Sequence, residues 1–436
     1  MGKLLLACLT FCAAVSALSR PWIGVTSYYL LAILGPQYIW WWNFQGFRVS
    51  LIVALSVIAG VGWQYLKGSY NTNFIFNKQS LWMVILWLCI INSYFMGPYV
   101  SMVSSAGLGP AELLSITNIM FLFYFISTLE MNEIRKLRYL VIVFVVSTIY
   151  LIYWANNQYF SQNWSQFNMG RLMGPASLDG GSIYRDENVF AMLFVCGSPF
   201  IYYLGWELKK NWLRWGLWLT IPLGWHAIFL TGSRGGLVGI GAIILSIVLL
   251  SQRKLLVLPL VIIFLLFYQW QAGDVMHKRS GNIVNIEGES SASNRVTAWK
   301  GGLRMILNHP ISGVGLGSFA TALPAFIEST PRVAHNTLVQ FTAESGVGAG
   351  LAYLFLVLLF FKQSIYIRRC THFTGMNEQD KQIALYNNAN TSSFAGLSIC
   401  GLFLSLNINE TFFVLLLFNN GLYQICFKRN QFSEKL

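Results

Sequence analysis

The feature that most constrains this chain is a succession of apolar blocks, each long enough to cross a bilayer. Leu137–Trp154, Gly235–Leu250, Leu255–Trp270 and Gly350–Phe361 are examples, set apart by short polar segments. In hydrocarbon every backbone N–H and C=O must be satisfied within the chain, so blocks of this kind form helices. A core of about 30 Å takes roughly 20 residues at 1.5 Å each. Candidate spans fall at about 4–18, 22–39, 48–66, 80–96, 112–129, 137–155, 188–206, 213–230, 235–250, 255–271, 336–361, 391–407 and 411–427. The first two are short and split by Ser19-Arg20-Pro21, so they read as a broken or partly inserted hairpin. The expectation is an all-α polytopic membrane protein with about twelve transmembrane helices, forming a single membrane domain over residues 1–436.

Composition agrees with that class. Charged residues make up 10% of the chain and hydrophobic ones 55%, where a soluble domain carries roughly a quarter charged. A soluble enzyme, a disordered chain and a soluble nucleic-acid binder are excluded. The net charge of +13 reads as orienting Lys and Arg, not as a nucleic-acid footprint. Six of the seven cysteines lie in or close to apolar blocks, and no CxxC or disulfide framework is readable. Met1-Gly2-Lys3 and the apolar run to Leu18 read as a retained first helix, because Arg20-Pro21 stands where a small-residue cleavage site would be.

Basic residues then set the sides. Arg135-Lys136-Arg138, Lys209-Lys210-Arg214, Arg253-Lys254, Lys362 with Arg368-Arg369, and Lys428-Arg429 mark the cytoplasmic face. The two longest loops, 156–187 and 271–335, are therefore exoplasmic, and the second contains an amphipathic stretch at Asn294–Leu307. Loops of this length in a compact protein are usually functional or disordered, and the density of Trp, Phe, Gly and Pro favours folded ones.

On that side basic residues should be scarce, yet Arg171, Arg185, Arg234, Lys278, Arg279, Arg295, Lys300, Arg304 and Arg332 are present. Lys278 and Arg279 suit ordinary loop charges. Arg234 does not, because it sits between two spans, where an unpartnered charge costs about 2.5–3.5 kcal/mol. Three helices begin on this side behind polar segments: after Arg185-Asp186-Glu187-Asn188, after Thr231-Gly232-Ser233-Arg234-Gly235-Gly236, and after Arg332-Val333-Ala334-His335-Asn336-Thr337. Helix N-termini attract anions, and guanidinium groups match phosphate oxygens two at a time. A diphosphate headgroup satisfies both demands.

Among five histidines, His335 differs in lying at a helix start near Arg332, on a face continued by Leu338, Val339 and Thr342. A positive dipole end and neighbouring arginines keep imidazole neutral and able to accept a proton. A general base needs that state; the competing reading is a helix-capping histidine. His226 reads as a hydrogen-bonding group inside a span, His309 and His277 as loop residues, and His372 as cytoplasmic. Gly313-Val314-Gly315-Leu316-Gly317 reads as a turn-rich loop, since no strand precedes it. No metal-ligand spacing and no Walker sequence occurs, so neither metal, cofactor nor nucleotide is expected.

These residues resemble the bacterial O-antigen ligase and polymerase superfamily over about residues 170–361. The resemblance rests on Gly170-Arg171-Leu172-Met173-Gly174-Pro175 with Asp186–Ala191, on Thr231–Gly236, on Ser293-Asn294-Arg295 with Trp299 and His309–Gly315, and on His335–Gln340 with Glu344-Ser345-Gly346. The Arg20–Gly24 opening also looks like exosortase-associated relatives. The resemblance implies a fold similar to the C-type (GT-C-like) glycosyltransferases and a metal-independent, inverting transfer of glycan from undecaprenyl diphosphate. The implied acceptor is a sugar hydroxyl of lipid A–core, at the periplasmic leaflet of the inner membrane. The functional histidine corresponds to His335, and the essential arginines best match Arg234 and Arg295; Arg171 and Arg332 join them by position and charge. An O-antigen polymerase or a protein O-oligosaccharyltransferase would share the donor. A transporter of lipid-linked glycan is a further alternative, disfavoured because no internal repeat is visible.

Overall fold

The computed structural model describes residues 1–68, 75–102, 108–176, 182, 184–250, 257–273, 276, 290–373, 377–407 and 409–433. His277, Lys278, Arg279 and the Arg253-Lys254 pair lie outside the described residues. The fold is all-α. Helices α1 (Gly2–Ser19), α2 (Pro21–Leu34), α3 (Pro36–Ile39), α4 (Trp41–Phe44), α5 (Val49–Leu66), α6 (Lys78–Met96), α7 (Pro110–Glu130) and α8 (Ile134–Phe160) come first. A two-stranded hairpin, β1 (Phe167–Asn168) and β2 (Arg171–Leu172), pairs Asn168 with Arg171. There follow α9 (Glu187–Glu207), α10 (Asn211–Thr231), α11 (Arg234–Leu250), α12 (Val257–Gln271), α13 (Ser290–Asn308), α14 (Phe319–Phe326), α15 (Thr337–Phe373), α16 (Glu378–Gly401) and α17 (Glu410–Ser433).

Seven of the described helices, α1, α5 to α9 and α15, are long and apolar enough to cross a membrane; α11 and the Val261–Gln271 part of α12 are shorter apolar helices. The protein is a multi-pass, all-α membrane protein. Helix α9 is the central one. Phe190 through Cys196 are fully buried along it, and it packs on α8, α10, α11 and α16. Gly197 lets α9 approach α8 closely, since a Cβ there would stand 2.3 Å from Thr148 Cγ2. The N-terminal pair is two helices broken at Arg20, and α1 packs on both α2 and α5.

Two spans depart from their hydropathy. The segment expected at 391–407 is instead a helix over Glu378–Gly401 followed by a non-helical strap at 402–407. The polar first turns of α16 are tolerated because they are paired. Asp380 is buried against Arg429 of α17, and Tyr386 Oη and Gln382 Nε2 donate to Glu207 at 2.8 and 2.9 Å. Helix α15 runs beyond the expected 361 to Phe373, and is broken at Gly346, where φ is +84° and ψ 171°. The break is sharp: the Phe341 and Tyr353 rings come within 5.3 Å, although twelve residues of straight helix would separate them by about 18 Å. The piece before Gly346 is therefore folded back over the start of the main span.

The chain's charges sort to two ends. Arg138–Glu207, Lys136–Glu133, Lys381–Glu378 and Arg429–Asp380 pair at one end. The opposite end gathers the α8–α9 hairpin, the α10–α11 turn, α13, α14 and the strap.

Candidate active site

Three helix starts meet at that second end, each built by local chemistry. Asp186 caps α9, its carboxylate accepting from Asn188 N at 2.7 Å and Val189 N at 3.2 Å. Helix α10 ends in the left-handed Gly232 (φ +62°), which turns the chain so that α11 begins at once with Arg234. Ser233 Oγ accepts from Gly236 N at 3.1 Å and donates to Asn188 Oδ1 at 2.9 Å, tying the start of α11 to the start of α9. Asn336 caps α15, its Oδ1 accepting from Val339 N at 3.1 Å.

His335 stands two residues before α15, with φ of +48°. Its side chain thus leaves from a left-handed backbone and does not share the helical face of Leu338, Val339 and Thr342. The expectation of a helical register at His335 is corrected by this turn. Few residues with a Cβ adopt such a backbone unless their surroundings impose it, and here the surroundings are visible. His335 N donates to Ser405 Oγ at 3.1 Å, and Ser405 Oγ donates to Gln340 Oε1 at 2.9 Å. The same Gln340 oxygen accepts from Ala334 N at 3.0 Å, while Gln340 Nε2 donates to Glu344 Oε1 at 2.7 Å. Glu344 is buried and also accepts from Phe319 N at 3.2 Å and Asn407 Nδ2 at 3.2 Å. One carboxyl group thereby joins α14, α15 and the strap beneath the histidine.

The strap touches α11, α13 and α15 at this end. Thr337 Oγ1 donates to Leu404 O at 2.8 Å and accepts from Leu406 N at 3.1 Å. The Arg295 guanidinium lies 5.9 Å from the centre of the Phe403 ring, and a Cβ on Gly235 would meet Phe403 at 3.5 Å. Arg295, on α13, and the residue following Arg234 therefore share one neighbour, two residues from the serine that holds His335. Trp299 Nε1, also on α13, donates to Ala334 O at 2.9 Å.

The arginines differ in their surroundings. Arg234 and Arg295 are half-buried. Arg332 turns back on Thr330, donating from Nη2 to Oγ1 at 2.6 Å. Arg171 forms an ion pair with Glu187 at the start of α9. Burial pushes the His335 imidazole below the ordinary histidine value; Arg295 and Arg332 push it down further, against the opposing pull of Asp186. Desolvation and the neighbouring cations thus favour the neutral ring.

Other expected residues take structural places. His226 Nδ1 lies 2.7 Å from Asn156 Oδ1 of α8, a hydrogen bond between helices inside the bundle. His309 packs edge-on against Tyr99 and Phe326. Gly313, Gly315 and Gly317 all have positive φ, and Val314 N and Gly315 N donate to Ala343 O and Glu344 O. The glycine run is a turn that supports the Gly346 break. Among the described residues, no group of three or more His, Cys, Asp or Glu side chains is arranged to hold a metal ion.

Sequence reading missed the strap, Gln340 and Glu344 as parts of the site. The available signal was the Gln340 and Glu344 spacing of four, which puts an amide and a carboxyl side chain on one face of a helix entering an apolar span.

Comparison with known families places a model described as O-antigen ligase on residues 219–354. That segment holds Arg234, Arg295, Arg332, His335, Gln340 and Glu344; Asp186 and the strap lie outside it. Residues 219–354 are thus similar to the O-antigen ligase family, which supports the O-antigen ligase and polymerase superfamily. No curated protein matches the chain.

Proposed function

We propose that this O-antigen ligase domain catalyses an inverting glycosyl transfer from a polyprenyl diphosphate-linked glycan, with His335 as general base. Its family consists of glycosyltransferase-type enzymes, which implies a lipid-linked glycan and an acceptor in the membrane. The observation that carries the reading is the placement of His335: a left-handed residue pinned by Ser405, two residues along the strap from the Phe403 ring on which Arg295 lies, with burial and Arg295 lowering its imidazole pKa.

In the proposed reaction the donor diphosphate lies against Arg234 and Arg295, with Arg332 contributing charge from further out. Arg171 is bound to Glu187 and acts by fixing the start of α9. The acceptor hydroxyl oxygen attacks the anomeric carbon as its proton passes to the His335 ring. The bond from that carbon to the phosphate oxygen breaks, and polyprenyl diphosphate leaves with the bonding electrons. Guanidinium groups fixed in a water-poor site stabilise the charge that develops on the leaving oxygen. His335 then returns its proton to water. A single displacement needs no covalent glycosyl-enzyme and no pair of carboxylates at glycosidase spacing.

In this reading the donor is undecaprenyl diphosphate-linked, the acceptor is a sugar hydroxyl of lipid A–core, and the site faces the periplasm from the inner membrane. The test is purified protein in lipid vesicles, with excess chelator and no nucleotide, given lipid-linked glycan and one acceptor at a time. Transfer to lipid A–core is expected. Transfer only to a growing glycan would make it a polymerase, and transfer only to protein an O-oligosaccharyltransferase. Activity that returns only with Mg²⁺ or Mn²⁺ would contradict the arginine-based mechanism.

A further inference from the structure

Helix α13, which carries Arg295, has two apolar faces where its packing uses one. Ala298 and Met305 are buried towards the bundle, and the neighbouring glycines bring the helix close: a Cβ on Gly301 would stand 2.3 Å from Leu323 Cδ1, and one on Gly302 2.8 Å from Val339 Cγ1. On the other side Val296, Leu303 and Leu307 fall within about 40° of helical arc, and all three are exposed, Leu307 at 72%. Ile311, just beyond the helix, is 82% exposed.

This stripe does not end in water. Val347 N donates to Pro310 O at 2.8 Å, which brings Ile311 to the top of the main span of α15. From there the exposed apolar residues Val347, Leu351, Phe355 and Leu358 continue down the outer face of α15 at helical spacing. That face belongs to a helix long and apolar enough to cross the membrane. Lys300 is exposed at the border of the stripe, while Arg304 Nη1 donates to Phe326 O of α14 at 2.7 Å. A lysine so placed reaches phospholipid phosphate while its stem remains with apolar surface.

We propose that α13 is a membrane-docking helix, its Val296–Leu303–Leu307 stripe and Ile311 lying in the interface of the leaflet that surrounds α15, with Lys300 on lipid phosphate. The glycines on one side and the lipid on the other fix the rotation of the helix. Arg295 lies about 100° around from the stripe, so docking sets its guanidinium at headgroup depth and turned towards His335.

The experiment places a nitroxide at Leu307→Cys in full-length protein carrying Cys8→Ala and Cys12→Ala, reconstituted in phosphatidylethanolamine–phosphatidylglycerol vesicles. The same background without an added cysteine is the blank. Collision with oxygen is compared with collision with a water-soluble nickel chelate. Leu351→Cys supplies the lipid-facing reference and Ser329→Cys the aqueous one. The expected result at 307 is oxygen contact several-fold above nickel contact, close to that at 351. A ratio like that at 329 would overturn the proposal. So would a label shielded from both agents, which would mean that a second copy or a partner protein covers the stripe.

Discussion

Arg234→Lys keeps the positive charge of this residue and removes its planar fork. If Arg234 holds a phosphoryl oxygen pair as diphosphate departs, the loss of one charge-assisted hydrogen bond is worth about 1.5–3 kcal/mol. That corresponds to a fall in turnover of about 10- to 150-fold at saturating donor. The measurement is kcat for wild type, Arg234→Lys and Arg234→Ala, with membrane expression followed in parallel. Lysine behaving as wild type while alanine is inactive would mean that charge alone suffices. Arg332 acts differently because it faces His335 as a cation while its own hydrogen bonds go to Thr330. Its charge disfavours imidazolium, so removing it lets the proton persist to higher pH. Arg332→Gln should therefore move the acid limb of the kcat/KM profile upward, and an unmoved limb would detach Arg332 from the histidine. Both arginines and His335 were legible in the sequence as cations and a base near helix starts. The left-handed turn at His335 was not, because it is imposed by Ser405, seventy residues further along the chain.

The elements around the site depend on two backbone features that apolar patterning cannot express. The first is the break in α15. Gly346 has a φ of +84°, and a Cβ there would stand 2.2 Å from Ile311 O. Gly346→Ala should destabilise the protein by about 1–3 kcal/mol or more, through both strain and collision. Thermal unfolding of the vesicle-embedded protein measures this, with Gly241→Ala as control, since a Cβ at Gly241 meets nothing within 4 Å. Equal melting of the two variants would mean that the fold-back does not need this conformation. The second feature is the strap. Leu402-Phe403-Leu404-Ser405-Leu406 is apolar enough to read as the end of a span, and only Ser405 and Asn407 reveal the site it supports. At the other end of α16, hydropathy placed the helix start thirteen residues late. There Asp380 and Glu378 look like loop charges until Arg429 and Lys381 are seen beside them.

At the scale of the whole molecule, apolar blocks were sufficient to read an all-α membrane protein, because hydrocarbon leaves the backbone no alternative to helix. They were less able to locate the start of α16, whose polar side chains are buried in the protein, Asp380 against Arg429 and Asn387 against Ser364 O. The molecule that results has ion pairs at one end and, at the other, three helix starts, a strap and a histidine that burial and arginines keep neutral. The account's central claim is that this histidine takes the acceptor proton. Its most direct test is single-turnover transfer by His335→Ala in vesicles, with donor binding and thermal unfolding measured on the same preparation. The rate should fall about 10²- to 10⁴-fold, with donor affinity and melting close to wild type, because the arginines and the main-chain hydrogen bond to Ser405 remain. Near-normal transfer by the folded variant would contradict it.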